Sequence, residues 1–381
     1  MPVRLVYADG PDGPLIDPAT VAGVAGVADP EVVLGWVVRA PAWLARTDVP
    51  VTTLLVGPGT RRAVGEGRIR AVGARLSATP ELLSGPLRPA VAVVAAVEEG
   101  RGFRFRGSVG LAPDIARNAD AVVVERWPAP LPYPTPPVEG RIVGVIDREE
   151  PPDPPQAPQF GPPERQIGRS VAGLIPDGAT VQWGPGTIGA AVVASIERPV
   201  QVHSGLVTEE LALLAERGLL DGVAISAYMW GGPSLDELAA RGSLALRPVR
   251  ETHDLSAVAA IERFVAVNTA LEVGLDGAVN VEEVRGRRVA GPGGHPDFCV
   301  AATRSRRGLS VVALRSTVGG RSTIVPRPAV VSTPRSDVGV VVTEHGVADL
   351  RGADDRERAT RLIAVAAPQY RAELEAAAGD R

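Results

Sequence analysis

The chain has 381 residues, with 40 basic and 44 acidic side chains for a formal net charge of −4, and one cysteine. Every basic residue is arginine. With no lysine there is no Schiff-base nucleophile for pyridoxal-phosphate chemistry and no lysine-bearing phosphate loop. A bound phosphate must therefore rest on arginine, helix N-termini or glycine-loop amides.

Mild acidity excludes a broad non-specific nucleic-acid surface. The single Cys299 excludes an internal disulfide framework and suits a reducing compartment. Hydrophobic content of 45% with 22% charged residues is that of a globular protein of two to three domains. The longest apolar run, Ala90 to Val97, has strand length. Met1-Pro2-Val3-Arg4 shows no basic region followed by an apolar core. The expectation is a cytoplasmic protein with no membrane and no nucleic-acid partner.

In chain order, β-branched runs at Val3–Tyr7, Thr52–Val56, Ala90–Val97 and Ala121–Glu125 predict strands, with helices at Val21–Val38 and Ala112–Asn118. A proline belt follows, with thirteen prolines between Pro128 and Pro163. Proline biases its predecessor to extended backbone and donates no ladder hydrogen bond, so this stretch links or wraps. It is interrupted by one strand-like run, Arg141 to Asp147. The expected division is an N-terminal domain over 1–147, a proline-rich linker over 148–164 and a C-terminal domain over 165–381. Past the belt, strands are predicted at Ala179–Trp183, Val200–His203, Gly222–Ala227, Phe264–Val273, Leu309–Leu314 and Gly339–Thr343. Helices are predicted at Thr187–Ile196, Glu209–Arg217, Leu235–Arg241, Ser256–Arg263 and Asp355–Ala366. This alternation argues an α/β fold with mostly parallel sheets.

The run Val181-Gln182-Trp183-Gly184-Pro185-Gly186-Thr187-Ile188-Gly189 passes from a strand through glycines into a helix. Such a turn lets an anionic group approach backbone amides at a helix N-terminus. A nicotinamide fold also needs an acid at the end of the next strand, which here reads Val202-His203-Ser204-Gly205 and has none. No NAD is expected. Four scattered histidines and one cysteine show no metal-ligand spacing, so no metal is expected.

An ordered series of segments then gives a resemblance: Ile167-Gly168-Arg169, Asp177-Gly178-Ala179-Thr180, the Gly184 turn, His203-Ser204, Arg247-Pro248-Val249 and Thr252-His253-Asp254. It continues through Asn268-Thr269-Ala270-Leu271-Glu272-Val273, Gly277, Asn280, Gly291-Pro292-Gly293-Gly294, Asp297-Phe298, Thr333-Pro334-Arg335-Ser336-Asp337-Val338 and Val342 to Gly352. Over about residues 165–375 the chain resembles the acetyl-CoA hydrolase / 4-hydroxybutyrate CoA-transferase family. The resemblance implies two α/β CoA-transferase-like domains with mostly parallel sheets and an active-site cleft between them. It also implies acyl-CoA and a carboxylate as substrates, and a glutamate that forms an acyl anhydride and then a glutamyl-CoA thioester. A homodimer is the candidate assembly.

The sequence departs from that pattern at one decisive place. The glutamate of the family follows the His-Ser pair, and here Gly205 stands there. The family's Glu-x-Asp becomes Glu272-Val273-Gly274, His295 follows Gly294 where glutamine is common, and His345 replaces a common tyrosine. Three readings follow: another carboxylate acts (Glu272, Glu209 or Glu210), a water is activated by His203, His295 or a glutamate, or the chain binds CoA without turnover, alone or as a partner subunit. The candidate catalytic residues are Glu272, Glu209 and His203. The candidate CoA-binding residues are Gly184, Gly186, Thr187, Ile188, Asn268, Gly291, Gly293, Gly294, His295 and Gly346. Against each stands an ordinary role: Glu272 as a solvated hairpin acid, Glu209 as a helix first-turn acid, His203 as a packed histidine, and the second glycine loop as a hinge.

Overall fold

The computed structural model describes residues 3–148 and 158–379. Residues 149–157, the centre of the expected linker, lie outside the described residues. The chain divides into two compact units. One is Met1–Pro155 with Ile225–Thr252 and Arg288–Gly293. The other is Gln156–Ala224 with His253–Arg287 and Gly294–Arg381. The helix Pro162–Ala172 begins inside the stretch expected as linker, with Glu164 reaching back to the Gly161 amide at 2.9 Å.

In the first unit the strands run in the order Arg70–Ala71, Val51–Thr53, Glu31–Leu34, Arg4–Tyr7, Val91–Glu99, Ala121–Trp127 and Ile142–Asp147. All these neighbours are parallel. Gly102–Phe105 adds an antiparallel hairpin on Val91–Glu99. Leu5, Tyr7, Leu34, Val93 and Val123 are fully or almost fully buried, as expected of a sheet covered on both faces. The helix predicted over Val21–Val38 is corrected. It spans Pro18–Ala25, starts on Asp17 accepting from the Ala19 amide at 2.8 Å, and ends on Gly26 at φ 68°. Asp29-Pro30 then breaks the chain, and Glu31–Leu34 is a sheet strand.

In the second unit the order is Gln201–Val207, Thr180–Trp183, Phe264–Thr269, Leu309–Ala313, Val340–Thr343 and Gly346–Asp349. Only the last of these pairs is antiparallel. The run predicted as one strand, Phe264–Val273, splits. Phe264–Thr269 stays in the sheet, while Glu272–Gly274 pairs with Val279–Asn280 and with Ile324–Val325. The helices Pro162–Ala172 and Thr187–Ser195 lie so close that a Cβ on Gly168 would stand 2.4 Å from the Ala191 carbonyl. The helix Asp355–Val365 opens with a capping box between Asp354 and Glu357. It buries Leu362, Ile363 and Val365.

Each sheet has a strand whose two parallel neighbours lie on opposite sides and belong to successive crossovers: Arg4–Tyr7 in the first, Thr180–Trp183 in the second. The carboxyl end of such a strand is a switch point, where open α/β sheets hold ligands.

Candidate functional site

At the second switch point, Thr180–Trp183 ends in the glycine turn and the helix Thr187–Ser195 starts. Two of the three glycines are required by the backbone, each for a different reason. Gly186 sits at φ 117°, where a side chain is strained. A Cβ on Gly189 would stand 2.1 Å from the Gly184 carbonyl, so the helix can close on the turn only with glycine there. A Cβ on Gly184 or Gly186 would meet nothing within 4 Å. Pro185, Gly186 and Thr187 are exposed, while Ile188 is buried. The turn therefore offers free helix N-terminal amides to solvent, the geometry that holds a phosphate.

The adjacent strand is longer than predicted and carries His203 and Gly205 on one face, with Ser204 on the other. Ser204 is fully buried, and its hydroxyl donates to the Trp183 carbonyl at 3.2 Å. A Cβ on Gly205 would stand 3.1 Å from His253 Nε2 and 3.3 Å from Phe298 Cε2. A Cβ on Gly294 would meet the same two rings at 2.7 and 3.0 Å. Both glycines thus back onto one cluster of rings: His253 on Phe298 at 4.7 Å, Phe298 by Phe264 at 6.2 Å and Phe264 by His203 at 6.3 Å. His253 is aimed there by local chemistry. The next residue, Asp254, caps the helix Leu255–Ala260 by accepting from the amides of Ser256 and Ala257, both at 2.8 Å. Burial, helped by the nearby charge of His203, pushes the His253 imidazole down to about 3.

His295 was expected in a loop and is instead the first residue of the helix His295–Arg304. Pro296 and Asp297, in the first helical turn, are the start signals that could have revealed it. Burial pushes its imidazole down to about 4. Asn268 exchanges hydrogen bonds with Gln182 at 3.1 and 3.4 Å, so its amide is engaged inside the sheet. Burial drives the Cys299 thiol up to about 12, and hydrogen bonds to Ser310 and Asn268 offset this in part.

The carboxylates lie on other elements. Glu272 is half-buried in the hairpin, where its Oε2 accepts from Asn280 at 2.9 Å and from the Ala329 amide at 3.2 Å. Glu209 and Glu210 open the helix Glu209–Glu216. Gly346, at φ 141°, follows the two-residue turn Glu344-His345. Glu344 accepts from the Ser316 amide and hydroxyl at 2.8 and 2.7 Å. Gly291 and Gly293 belong to the first unit. Gly291 backs onto Leu55, and the Gly293 carbonyl accepts from the Leu76 amide at 2.9 Å. Among the described residues, no three His, Cys, Asp or Glu side chains gather as a metal site. No helix among them is long and apolar enough to cross a membrane.

Sequence reasoning missed the acids at the first switch point. Asp9 is buried behind Tyr7 and accepts from the Leu111 amide at 2.9 Å and from the Tyr228 hydroxyl. Asp12 lies under Gly107, whose Cβ would meet it at 2.1 Å. Trp127 lies beneath two guanidinium groups, Arg106 at 4.6 Å and Arg148 at 4.4 Å. Nothing in the local sequence marks these acids, because the groups that enclose them are distant in the chain.

This is the α/β architecture of CoA-transferases. The chain superimposes on RipA from Yersinia pestis with a TM-score of 0.87 at 24% identity, covering 99% of this chain and 94% of that one. Residues 235–378 match the family described as acetyl-CoA hydrolase/transferase C-terminal domain. The chain is 31% identical to the 4-hydroxybutyrate coenzyme A transferase of Clostridium kluyveri over 58% of its own length and 55% of that protein. It is 29% identical to the succinyl-CoA:cyclohexane-1-carboxylate CoA transferase of Geobacter metallireducens, over 84% of its own length and 78% of that protein. Over the stretches they cover, the chain is therefore similar to the acetyl-CoA hydrolases and 4-hydroxybutyrate CoA-transferases. It spans about half the length of the Clostridium kluyveri enzyme and of similar butyrate-handling relatives.

Proposed function

We propose that this chain binds an acyl-CoA and cleaves its thioester without a covalent carboxylate at position 205. The observation that carries this reading is the enclosure of Gly205. The direction a side chain would take there is occupied by His253 and Phe298, with His253 Nε2 3.1 Å from the Cβ position. Glycine fits that enclosure, and the Cβ of a glutamate would press both packed rings back by a few tenths of an ångström.

In this reading the CoA phosphates rest on the amides of Gly186, Thr187 and Ile188 at the open turn. The step is direct acyl transfer. Oxygen of water, or of a small carboxylic acid, bonds to the thioester carbon, the C–S bond breaks, and the CoA thiolate leaves. Half-buried His203, on the same strand face as Gly205, takes the attacking water's proton. With water the chain is an acyl-CoA hydrolase; with a carboxylate acceptor the first product is a mixed anhydride, and CoA passes to the acceptor when the thiolate bonds to the acceptor's carbonyl carbon, the C–O bond breaks and the first acid leaves as its carboxylate. A second reading rests on Glu272, whose carboxylate is fixed by two hydrogen bonds and whose other oxygen would serve as the nucleophile.

The test is incubation with acetyl-CoA followed by borohydride and intact-mass measurement, with free thiol followed in parallel. Steady thiol release with unmodified protein supports direct transfer. A reduced adduct mapped to Glu272 replaces it with the second reading. No binding and no thiol release from any short-chain acyl-CoA rejects both.

A further inference from the structure

His295 is 8% exposed, yet its Nε2 is a buried nitrogen with no hydrogen-bond partner among the described residues. The other ring nitrogen is fully engaged. Nδ1 lies 2.8 Å from the Thr333 hydroxyl oxygen and 3.6 Å from Cys299 Sγ. Thr333 is fully buried and anchored, its amide donating to the Val279 carbonyl at 3.1 Å. Nδ1 is an acceptor within reach of its hydroxyl hydrogen. The Cys299 thiol keeps its hydrogen at neutral pH and approaches the same nitrogen. With both of these groups donating, Nδ1 is an acceptor and the neutral ring carries its hydrogen on Nε2. The ring also opens a helix, where the N-terminal dipole disfavours an imidazolium.

A donor held buried without a partner is costly and calls for an explanation, and a ligand that supplies the acceptor is one. We infer that His295 presents a neutral Nε2–H donor to an acyl-CoA's carbonyl oxygen, and that Thr333 is the positioning residue that fixes this tautomer. This rests on the acyl-CoA reading above and adds a residue to it. As the carbonyl carbon becomes tetrahedral its oxygen gains charge, and a neutral, pre-aimed N–H stabilises that charge without reorganising.

The experiment has two arms. Nitrogen-15 NMR of the four histidines, assigned by substitution, reads the tautomer in the full chain without ligand. His295 should show a bare Nδ1 and a protonated Nε2. Thr333→Val should shift it toward the mixed tautomer, and Thr333→Ser should preserve it. A protonated Nδ1 in the native chain overturns the inference. The second arm measures acetyl-CoA binding and thiol release. His295→Phe, which keeps a ring and loses the donor, should lower turnover by roughly a hundredfold while changing Kd far less, and His295→Gln should recover part of the loss. Equal turnover in native chain and His295→Phe overturns the donor role even where acetyl-CoA binds normally. Failure of the native chain to bind acetyl-CoA removes the acyl-CoA reading itself and this inference with it. Thermal unfolding separates folded from misfolded variants. Should His295→Phe misfold, His295→Gln against Thr333→Val carries the same comparison: the inference expects both to lose turnover, and full turnover in both overturns it.

Discussion

The two switch points are built from opposite kinds of titratable group. The first is lined by two acids, Asp9 buried and Asp12 half-buried. Burial pushes Asp9 up to about 6, against the Tyr228 and Leu111 hydrogen bonds that oppose it, and Asp114 adds to the rise. Burial also pushes Asp12 up to about 6, against the charges of Arg106 and Arg148 and with that of Asp236. The second is lined by buried imidazoles, with His253 pushed down to about 3 and His295 to about 4. One cause, the cost of keeping charge away from water, drives both sets toward neutrality and so moves them in opposite directions. Near neutral pH the first edge therefore carries acids close to their titration, while His253 and His295 at the second stay uncharged. Buried, uncharged imidazoles suit chemistry that develops charge on a thioester oxygen, because fixed dipoles act strongly away from water.

The largest expected effect is the response of stability to acid. A histidine whose folded pKa lies below its unfolded value of about 6.5 destabilises the fold as the pH falls below that value, because the unfolded chain takes up the proton first. For His253 the window runs from 6.5 to about 3, and for His295 from 6.5 to about 4. Together they should cost the second unit several kcal/mol between pH 7 and 4, at about 1.4 kcal/mol for each tenfold loss of proton affinity on folding. The raised acids act in reverse. The fold is most favoured at these acids below 3.8, and that advantage is lost as pH rises through about 6, so acidification from 7 to 4 favours the first unit at Asp9 and Asp12. Hydrogen exchange of amides in each sheet, followed from pH 7 to 4, would show the two units diverging. Parallel profiles would dissolve the contrast.

Next in size is the enclosure of Gly205. Gly205→Ala presses a methyl group to 3.1 Å from His253 Nε2 and should cost about 1–3 kcal/mol in denaturant unfolding. Gly205→Glu should cost more and form no borohydride-trappable adduct with acetyl-CoA. A stable Gly205→Glu variant that traps CoA would show that the space is open and that glycine merely removed a nucleophile.

Much of this architecture was legible in the sequence, for a physical reason. Continuous apolar runs such as residues 91–97 and Leu309–Ala313 are buried on both faces, and that burial is what makes the run continuous. The glycine turn was legible because its constraints are local. Errors came where local signals conflicted. The apolar stretch from Val21 suited a helix through Val38, but Asp29-Pro30 divides it. Gly293-Gly294 masked the helix that begins at His295. The site was half legible. His203, Gly205 and His295 stood out as residues, yet His253 meets Gly205 across 48 positions and Thr333 meets His295 across 38. Such pairings are set by strand order, and no spacing in the sequence encodes them.

At the first edge, Asp9→Asn should be nearly neutral in stability at pH 7, within about 1 kcal/mol. The amide keeps an oxygen for the Leu111 N–H, and its NH2 can donate to a Tyr228 hydroxyl that turns to accept. The slope of stability against pH between 4 and 6 should fall by close to one proton in the first unit and remain unchanged in the second. A slope unchanged in both would place the titration elsewhere.

The smallest structural effect belongs to Gly184→Ala. Its new methyl group meets no atom within 4 Å, and no left-handed backbone is required there, so stability should change by less than about 0.5 kcal/mol. Its effect on ligand should be larger than its effect on folding, because the methyl group projects into the open space of the turn, where a CoA phosphate would rest. Calorimetric titration with CoA against dephospho-CoA and pantetheine makes this specific. Gly184→Ala should weaken the phosphorylated ligands and leave pantetheine binding unaltered, since a methyl group that blocks amide–phosphate approach costs only ligands that carry phosphate. Equal weakening of all three would mean the turn meets the pantetheine arm, and the imidazole edge would then face the acyl group from a different direction than His295 Nε2–H requires.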